Sequence, residues 1–307
     1  MTGDVTRKVP SGVTDGPNDN VSIRAQAKLN LWLHVLAREA SGYHSIETLF
    51  HRIDLADQVT VTLARPGDRS VRCSEDVGPE TDNLAYRAAC MFTEQTAWAT
   101  GFDIAIEKRI PCGGGLGGGS ADAAATLLAL NSMCPLPVAD SALAGIARRL
   151  GADVPFLVAG APCALAWGRG DRLLTLPALP QRHVALVVPG FGVSTAEAYA
   201  SVPERAAALP QFSERSLTDW AAIAKYASND LSHSSVARRH EVLGNAVAEL
   251  RAAGALLAEM TGSGSVIFGI FDDEPDVASL ERATGCRVLV TRTAVAVDRV
   301  AAAGSSA

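Results

Sequence analysis

Residues 111–124 read Pro-Cys-Gly-Gly-Gly-Leu-Gly-Gly-Gly-Ser-Ala-Asp-Ala-Ala. Positions 113–119 hold six glycines and one leucine. Glycine loses more backbone entropy on folding than any other residue, so a run this dense is kept only where backbone must pass and no Cβ fits. The flanking segments say what passes there. FDIAIEKRI, at 102–110, alternates apolar and polar residues as a strand does. The stretch after the glycines is rich in Ala and Leu to residue 131 and reads as a helix. A helix start leaves N–H groups unpaired and carries the positive end of the helix dipole. Strand, glycine loop and helix N-terminus together make a seat for an anion, above all a phosphate.

Two familiar phosphate loops can be compared with it. A Walker A loop carries Lys directly after its last glycine, and here Ser120 follows Gly119. A GxGxxG register exists at Gly113, Gly115 and Gly118, with Asp140 near the distance of a ribose-binding acid. Yet Asp140 follows PLPVA and opens a helix instead of ending a strand. A dinucleotide-binding unit also begins at its first strand, whereas about eighty strand-rich residues precede this loop. A dinucleotide-binding oxidoreductase, or a non-catalytic nucleotide-binding protein, stays as the rival reading. A phosphate loop without its own Lys draws a cation from elsewhere, and Lys28 and Lys108 are the candidates.

Outward from the loop, strands and helices interleave, and the strand hairpins favour an α+β class. AQAKLNLWLHV at 25–35 alternates as a strand, which puts Lys28 and Asn30 on one face. Residues 41–43 make a turn before a second long strand. A helix is expected across 81–101, with Asp or Asn at its start and Gly101 after its end. GADVP at 151–155 follows a helix and sets Asp153 before an apolar turn, where by itself it reads as a turn residue bonding its own backbone. A hairpin is expected at 168–170, one helix at about 235–254, a glycine turn TGSGS at 261–265 and a further helix at about 275–284.

The register P-x-x-x-G-L-G-G-G-S-A-D-A-A resembles the phosphate loop of the GHMP small-molecule kinases, the family of galactokinase, homoserine kinase and mevalonate kinase. AKLN with GYH, the loop, GADVP and TGSGS stand in family order from residue 25 to 264. The resemblance implies a two-domain α+β fold, an S5-like N-terminal nucleotide domain and a ferredoxin-like C-terminal domain. These are set at 21–179 and 180–300, after an extension over 1–20 taken as disordered and before a tail at 301–307. It implies ATP as phosphoryl donor, with Mg2+. It places Pro111, Cys112, Gly113, Gly114, Gly115, Leu116, Gly117, Gly118, Gly119, Ser120, Ala121 and Lys108 at the ATP. Lys28 and Asp153 become the catalytic residues, and Asn30, Tyr43, His44, Gly262 and Gly264 face the substrate. AKLN followed by GYH is similar to the branch of the family whose acceptor is a cytidyl alcohol of isoprenoid synthesis. Other members, acting on mevalonate or homoserine, are the rivals within the family. Asp122 is read either as a magnesium residue or as a cap.

The remaining composition limits the partners. Over 307 residues there are 27 Lys plus Arg against 33 Asp plus Glu, a net charge of −6, which argues against broad phosphate neutralisation on nucleic acid. The six cysteines form no CxxC pair and the six histidines no HExxH, so reduced cysteines and no protein-held metal are expected. No apolar run approaches the roughly 18 residues of a membrane span. The expectation is a cytoplasmic monomer or homodimer with a small-molecule substrate and no membrane or nucleic-acid partner.

Overall fold

The computed structural model describes residues 19–39, 42, 44–202, 213 and 215–298. Most of the expected extension, the expected tail and Tyr43 lie outside the described residues. Asn20, assigned to the extension, instead opens the first strand.

The first sheet holds β1 (Asn20–Arg38), β2 (His44–Ala64), β3 (Arg69–Cys73), β4 (Gly101–Glu107), β5 (Cys163–Gly168) and β6 (Arg172–Leu176). β1 and β2 pair antiparallel along their length. β2 is long enough to take β5 on its first half and β4 on its second. The expected hairpin joins β5 to β6, with Gly168 and Gly170 both at positive φ. Helices α1 (Leu84–Thr96), α2 (Gly118–Met133), α3 (Asp140–Leu150) and α4 (Val154–Val158) complete this half.

The second sheet, β7 (His183–Val188), β8 (Leu257–Met260), β9 (Ile267–Phe271) and β10 (Arg287–Arg292), runs in the order β10-β7-β9-β8 with every pair antiparallel. Among the described residues, five helices lie between β7 and β8: α5 (Thr195–Ala200), α6 (Arg215–Thr218), α7 (Trp220–Tyr226), α8 (Ser235–Arg238) and α9 (Glu241–Ala252). α10 (Val277–Thr284) joins β9 to β10. This split βαββαβ is the ferredoxin-like arrangement.

Alternation along the strands sorts the core into layers. In β2, Leu49 faces the space between the sheets while Phe50 faces α2 and α4. In β7, Val184 and Leu186 join that middle layer, and Ala185 and Val187 face α9 and α10. α2 is apolar nearly all round, with Ala121, Ala123, Ala124, Leu127 and Leu130 buried, as a helix enclosed by other elements must be.

Two helices differ from expectation. α1 starts where foreseen, its Asn83 side chain accepting from the Ala85 N–H, but it stops at Ala97, itself left-handed at φ 51°. Gly101 serves a different need: a Cβ there would overlap the Arg65 and Asp68 carbonyls. The single helix expected over 235–254 is two. The chain leaves helical geometry at His240, whose ring stacks on Phe191 at 4.1 Å, so a tertiary contact overrides local propensity.

Candidate active site

The glycine loop connects β4 to α2 and borders a cleft of about 660 Å³. Gly117 takes the N-cap position at φ 73°, where a residue with a Cβ is strained. The first helical bond runs from Ala121 N–H to the Gly117 carbonyl, 2.8 Å, so the N–H groups of Gly118, Gly119 and Ser120 stay open to the cleft. Ala121, expected at the ATP, therefore has its N–H inside the helix and its side chain in the core. Leu116 is also a core side chain, and its carbonyl accepts from the Lys28 N–H. Pro111, Cys112 and all six glycines border the cleft. Burial raises the pKa of the Cys112 thiol, which keeps it protonated and a weak nucleophile.

The glycines answer to different neighbours. A Cβ on Gly115 would overlap the Thr261 carbonyl, and one on Gly114 would strike Val266, so the loop packs against the second glycine turn. Gly262 in turn lies over the loop, with an added Cβ 3.0 Å from the Gly115 carbonyl. Gly119 has only Leu84 near, at 3.8 Å, and open space beyond. Asn229, fully buried, holds the turn by donating to the Met260 and Gly262 carbonyls, both at 2.7 Å. Gly264 was expected at the substrate. It is absent from the cleft wall, and a Cβ there would meet the Met260 sulfur, so it is a packing residue of the turn.

Lys28 and Asp153, distant in sequence, meet at the cleft. Lys28 is 2% exposed and its Nζ has three oxygens around it: Asn30 Oδ1 at 2.6 Å, the Gly115 carbonyl at 2.9 Å and Asp153 Oδ2 at 3.3 Å. Asp153 takes the N-cap position of α4 but makes no side-chain cap bond, so its carboxylate faces the cleft and Lys28. Asn30, expected to touch substrate, borders the cleft with its amide engaged inside the protein: Oδ1 accepts from Lys28 and Nδ2 donates to Thr48. It orients the lysine.

Lys108 differs from the expected phosphate cation. Its Nζ pairs with Asp57 and, at 2.8 Å, with Asp122. Asp57 also accepts from the Arg109 and Ile110 N–H groups. The cluster ties the chain entering the loop to the helix leaving it. Burial lowers the Lys108 pKa, but Asp122 and Asp57 outweigh it and hold the ammonium above its ordinary range. Burial pushes Asp122 up to about 7, the neighbouring Lys108 opposing the rise. Asp122 Oδ1 is buried without a hydrogen-bond partner among the described residues.

At the other end of the cleft stands Tyr199 on α5, which the sequence reading did not single out. His44 is not on the cleft wall itself but stacks on Tyr199, ring centroids 5.2 Å apart. Burial, with Arg38 nearby, lowers the His44 pKa and favours the neutral ring. The signal for Tyr199 was the VSTAEAY stretch at 193–199, where a capped helix places Thr195 and Tyr199 one turn apart on one face. Asp57 carried no signal, since its role depends on a partner brought by tertiary folding.

Known proteins resemble this chain in sequence and fold. Residues 83–161 match the model of the GHMP kinases N terminal domain, and residues 208–289 that of the GHMP kinases C terminal. A 4-diphosphocytidyl-2-C-methyl-D-erythritol kinase of Geobacter metallireducens is 38% identical over 89% of this chain and 95% of its own. One of Pelotomaculum thermopropionicum is 39% identical over 89% and 98%. A crystal structure of 4-(cytidine 5'-diphospho)-2C-methyl-D-erythritol kinase superposes with a TM-score of 0.73 at 35% identity, covering 89% of this chain and 98% of the other. The homoserine kinase of Cytophaga hutchinsonii, at 16% identity and a TM-score of 0.68 over 95% and 98%, shares the fold. Glycine loop, Lys28–Asp153 pair and second glycine turn thus stand in a chain that belongs to the GHMP kinase family, among its 4-diphosphocytidyl-2-C-methyl-D-erythritol kinases.

Proposed function

We propose that this protein transfers the γ-phosphoryl group of ATP to the 2-hydroxyl of 4-diphosphocytidyl-2-C-methyl-D-erythritol, in the cytoplasm, as a step of isoprenoid synthesis. The observation that carries the reading is the Lys28–Asp153 pair, 3.3 Å apart, beside a helix N-terminus with open N–H groups in one cleft.

The chemistry follows from these residues. A carboxylate is too weak a base to strip an alcohol beforehand. Asp153 instead accepts the proton as the new O–P bond forms, late in a loose transition state. Lys28, fixed by Asn30 and the Gly115 carbonyl, directs its third N–H toward Asp153 and orients it. The N–H groups of Gly118, Gly119 and Ser120 receive phosphate oxygens. Tyr199, backed by the stacked His44 ring, offers a ring face to the cytosine.

The cleft also fits magnesium arriving with the nucleotide. Asp122 Oδ1 lacks a partner among the described residues, and Mg2+ needs only one or two carboxylates besides the phosphates. Asp122 and Asp153 are the residues that would hold it. When bound, it neutralises triphosphate charge.

A coupled ADP-release assay with the cytidyl substrate, mevalonate, homoserine and galactose tests the reading. Turnover should be confined to the cytidyl substrate. Equal or faster turnover with another acceptor overturns the substrate assignment.

A further inference from the structure

Arg52 is a buried cation that the chemistry above does not use. It lies on β2, 3% exposed, opposite Lys28 in the β1–β2 register. Its guanidinium meets carbonyl oxygens. Nη2 donates to Phe156 (3.0 Å), Leu157 (2.8 Å) and Ala159 (2.9 Å), and Nε to Ala161 (3.2 Å). No ion pair to a carboxylate forms at Arg52 among the described residues. Burial brings its pKa down to about 10, which still leaves it charged at neutral pH.

Those carbonyls belong to the C-terminal end of α4 and the turn behind it, and Asp153 is the N-cap of α4. A helix of five residues does not hold itself, because nucleation is unfavourable and few bonds follow it. A cation at the C-terminal carbonyls both satisfies them and complements the dipole. A stack of rings extends the contact. The Arg52 guanidinium carbon lies 5.1 Å from the Phe156 ring centre, Phe156 stacks on Phe50 at 4.9 Å, and Lys28 Nζ sits 5.6 Å from the Phe50 centre. Arg52 therefore bears on both partners of the pair: on Asp153 through α4, and on Lys28 through the rings.

We propose that Arg52 is a positioning residue for Asp153, holding α4 at the depth where its N-cap carboxylate meets Lys28. The inference rests on the reading of Asp153 as the base. Lysine at this position keeps the charge but replaces a planar fork by a single ammonium, which cannot collect four carbonyls.

The test measures kcat and KM for both substrates in full-length wild type, Arg52→Lys, Asp153→Asn and the double variant, well below each unfolding midpoint. A misplacement of about 1 Å can lower turnover 100-fold, so Arg52→Lys should lower kcat about 10- to 100-fold with the ATP KM within about twofold. In the Asp153→Asn background the same change should cost less than about twofold, because the group it positions is gone. Equal losses in both backgrounds would mean an effect that does not run through Asp153, and that result overturns the proposal, as does near-normal kcat in Arg52→Lys, the outcome of a role confined to stability. Undiminished turnover in Asp153→Asn alone overturns the base assignment and the proposal with it; failure of the Arg52 arms alone leaves the base assignment standing. Should Arg52→Lys not fold, Arg52→Gln, which keeps an amide donor toward the carbonyls, is subject to the same comparison and the same outcomes.

Discussion

Gly119→Ala separates the phosphate seat from the packing of the loop. Gly119 is the second residue of α2, and an added Cβ would find only Leu84 Cδ1, at 3.8 Å, an ordinary contact. Replacing a helical glycine by alanine stabilises by roughly 0.5–1 kcal/mol, which in a protein of this size raises the unfolding midpoint by about 1–2 °C. The same methyl enters the open space beside the Gly118, Gly119 and Ser120 N–H groups. A hydrogen bond to a charged group contributes about 1.5–3 kcal/mol. Losing one from the triphosphate therefore weakens ATP by about 10- to 100-fold. Differential scanning fluorimetry and ATP titration calorimetry on the same samples read the two effects. The expected result is a more stable protein that binds ATP poorly. Higher stability with unchanged ATP affinity refutes the placement of phosphate at this helix end. Gly117 is the poorer probe: a Cβ there meets Lys28 Cγ and Cε at 3.0 Å, at a φ of 73°, so any loss would mix loop strain with a displaced lysine.

Asp153→Asn should lower single-turnover phosphoryl transfer by about 10²–10⁴-fold while ATP binding survives, and Lys28→Met by a similar factor. The double variant should be little worse than either, and fully multiplicative losses would break the claim that the two act as a unit. His44→Ala should raise the KM of the cytidyl substrate well above any change for ATP, and equal changes in both would remove His44 as the support of Tyr199 at the base. Asp122→Asn should change the pH dependence of stability in the nucleotide-free protein. The Asp122 pKa is raised to about 7, so its stabilising contribution is present below its ordinary value near 4 and is lost as pH rises through about 7. The wild-type midpoint should therefore fall between pH 5.5 and 8.5 by more than that of the variant, whose Lys108–Asp57 pair is electrically balanced. Equal pH slopes would refute the assignment.

What was legible in the sequence is what local chemistry dictates. The glycine run, the helix behind it and the Asn83 cap are properties of a few consecutive residues, and they stand as read. The shared face of Lys28 and Asn30 follows from strand alternation and ends in a 2.6 Å hydrogen bond. Where long-range contacts decide, local reading fails. His240 breaks a helix for the sake of the Phe191 ring, and Gly101 is a glycine because two distant carbonyls crowd it. The site divides in the same way. GADVP by itself reads as a turn, and only the resemblance made Asp153 catalytic; the structure adds the approach of Lys28. Lys108 looked like a free cation because its two carboxylates come from β2 and α2, elements it meets only in the folded state.

That last difference bears on how the cleft receives a triphosphate. The lysines on its wall are Lys28 and Lys108, and its aspartates are Asp82, Asp122 and Asp153, so even with Asp122 partly protonated near neutral pH the wall carries no excess of positive charge. Lys108 adds no net attraction, being matched by Asp57 even where Asp122 is protonated, and Lys28 is balanced by Asp153. Side-chain charge alone therefore does not draw in an anion. The attraction comes from oriented backbone, the open N–H groups and dipole at the start of α2, which only glycines let the phosphates approach. Under the proposed function it would be completed by magnesium arriving with the nucleotide.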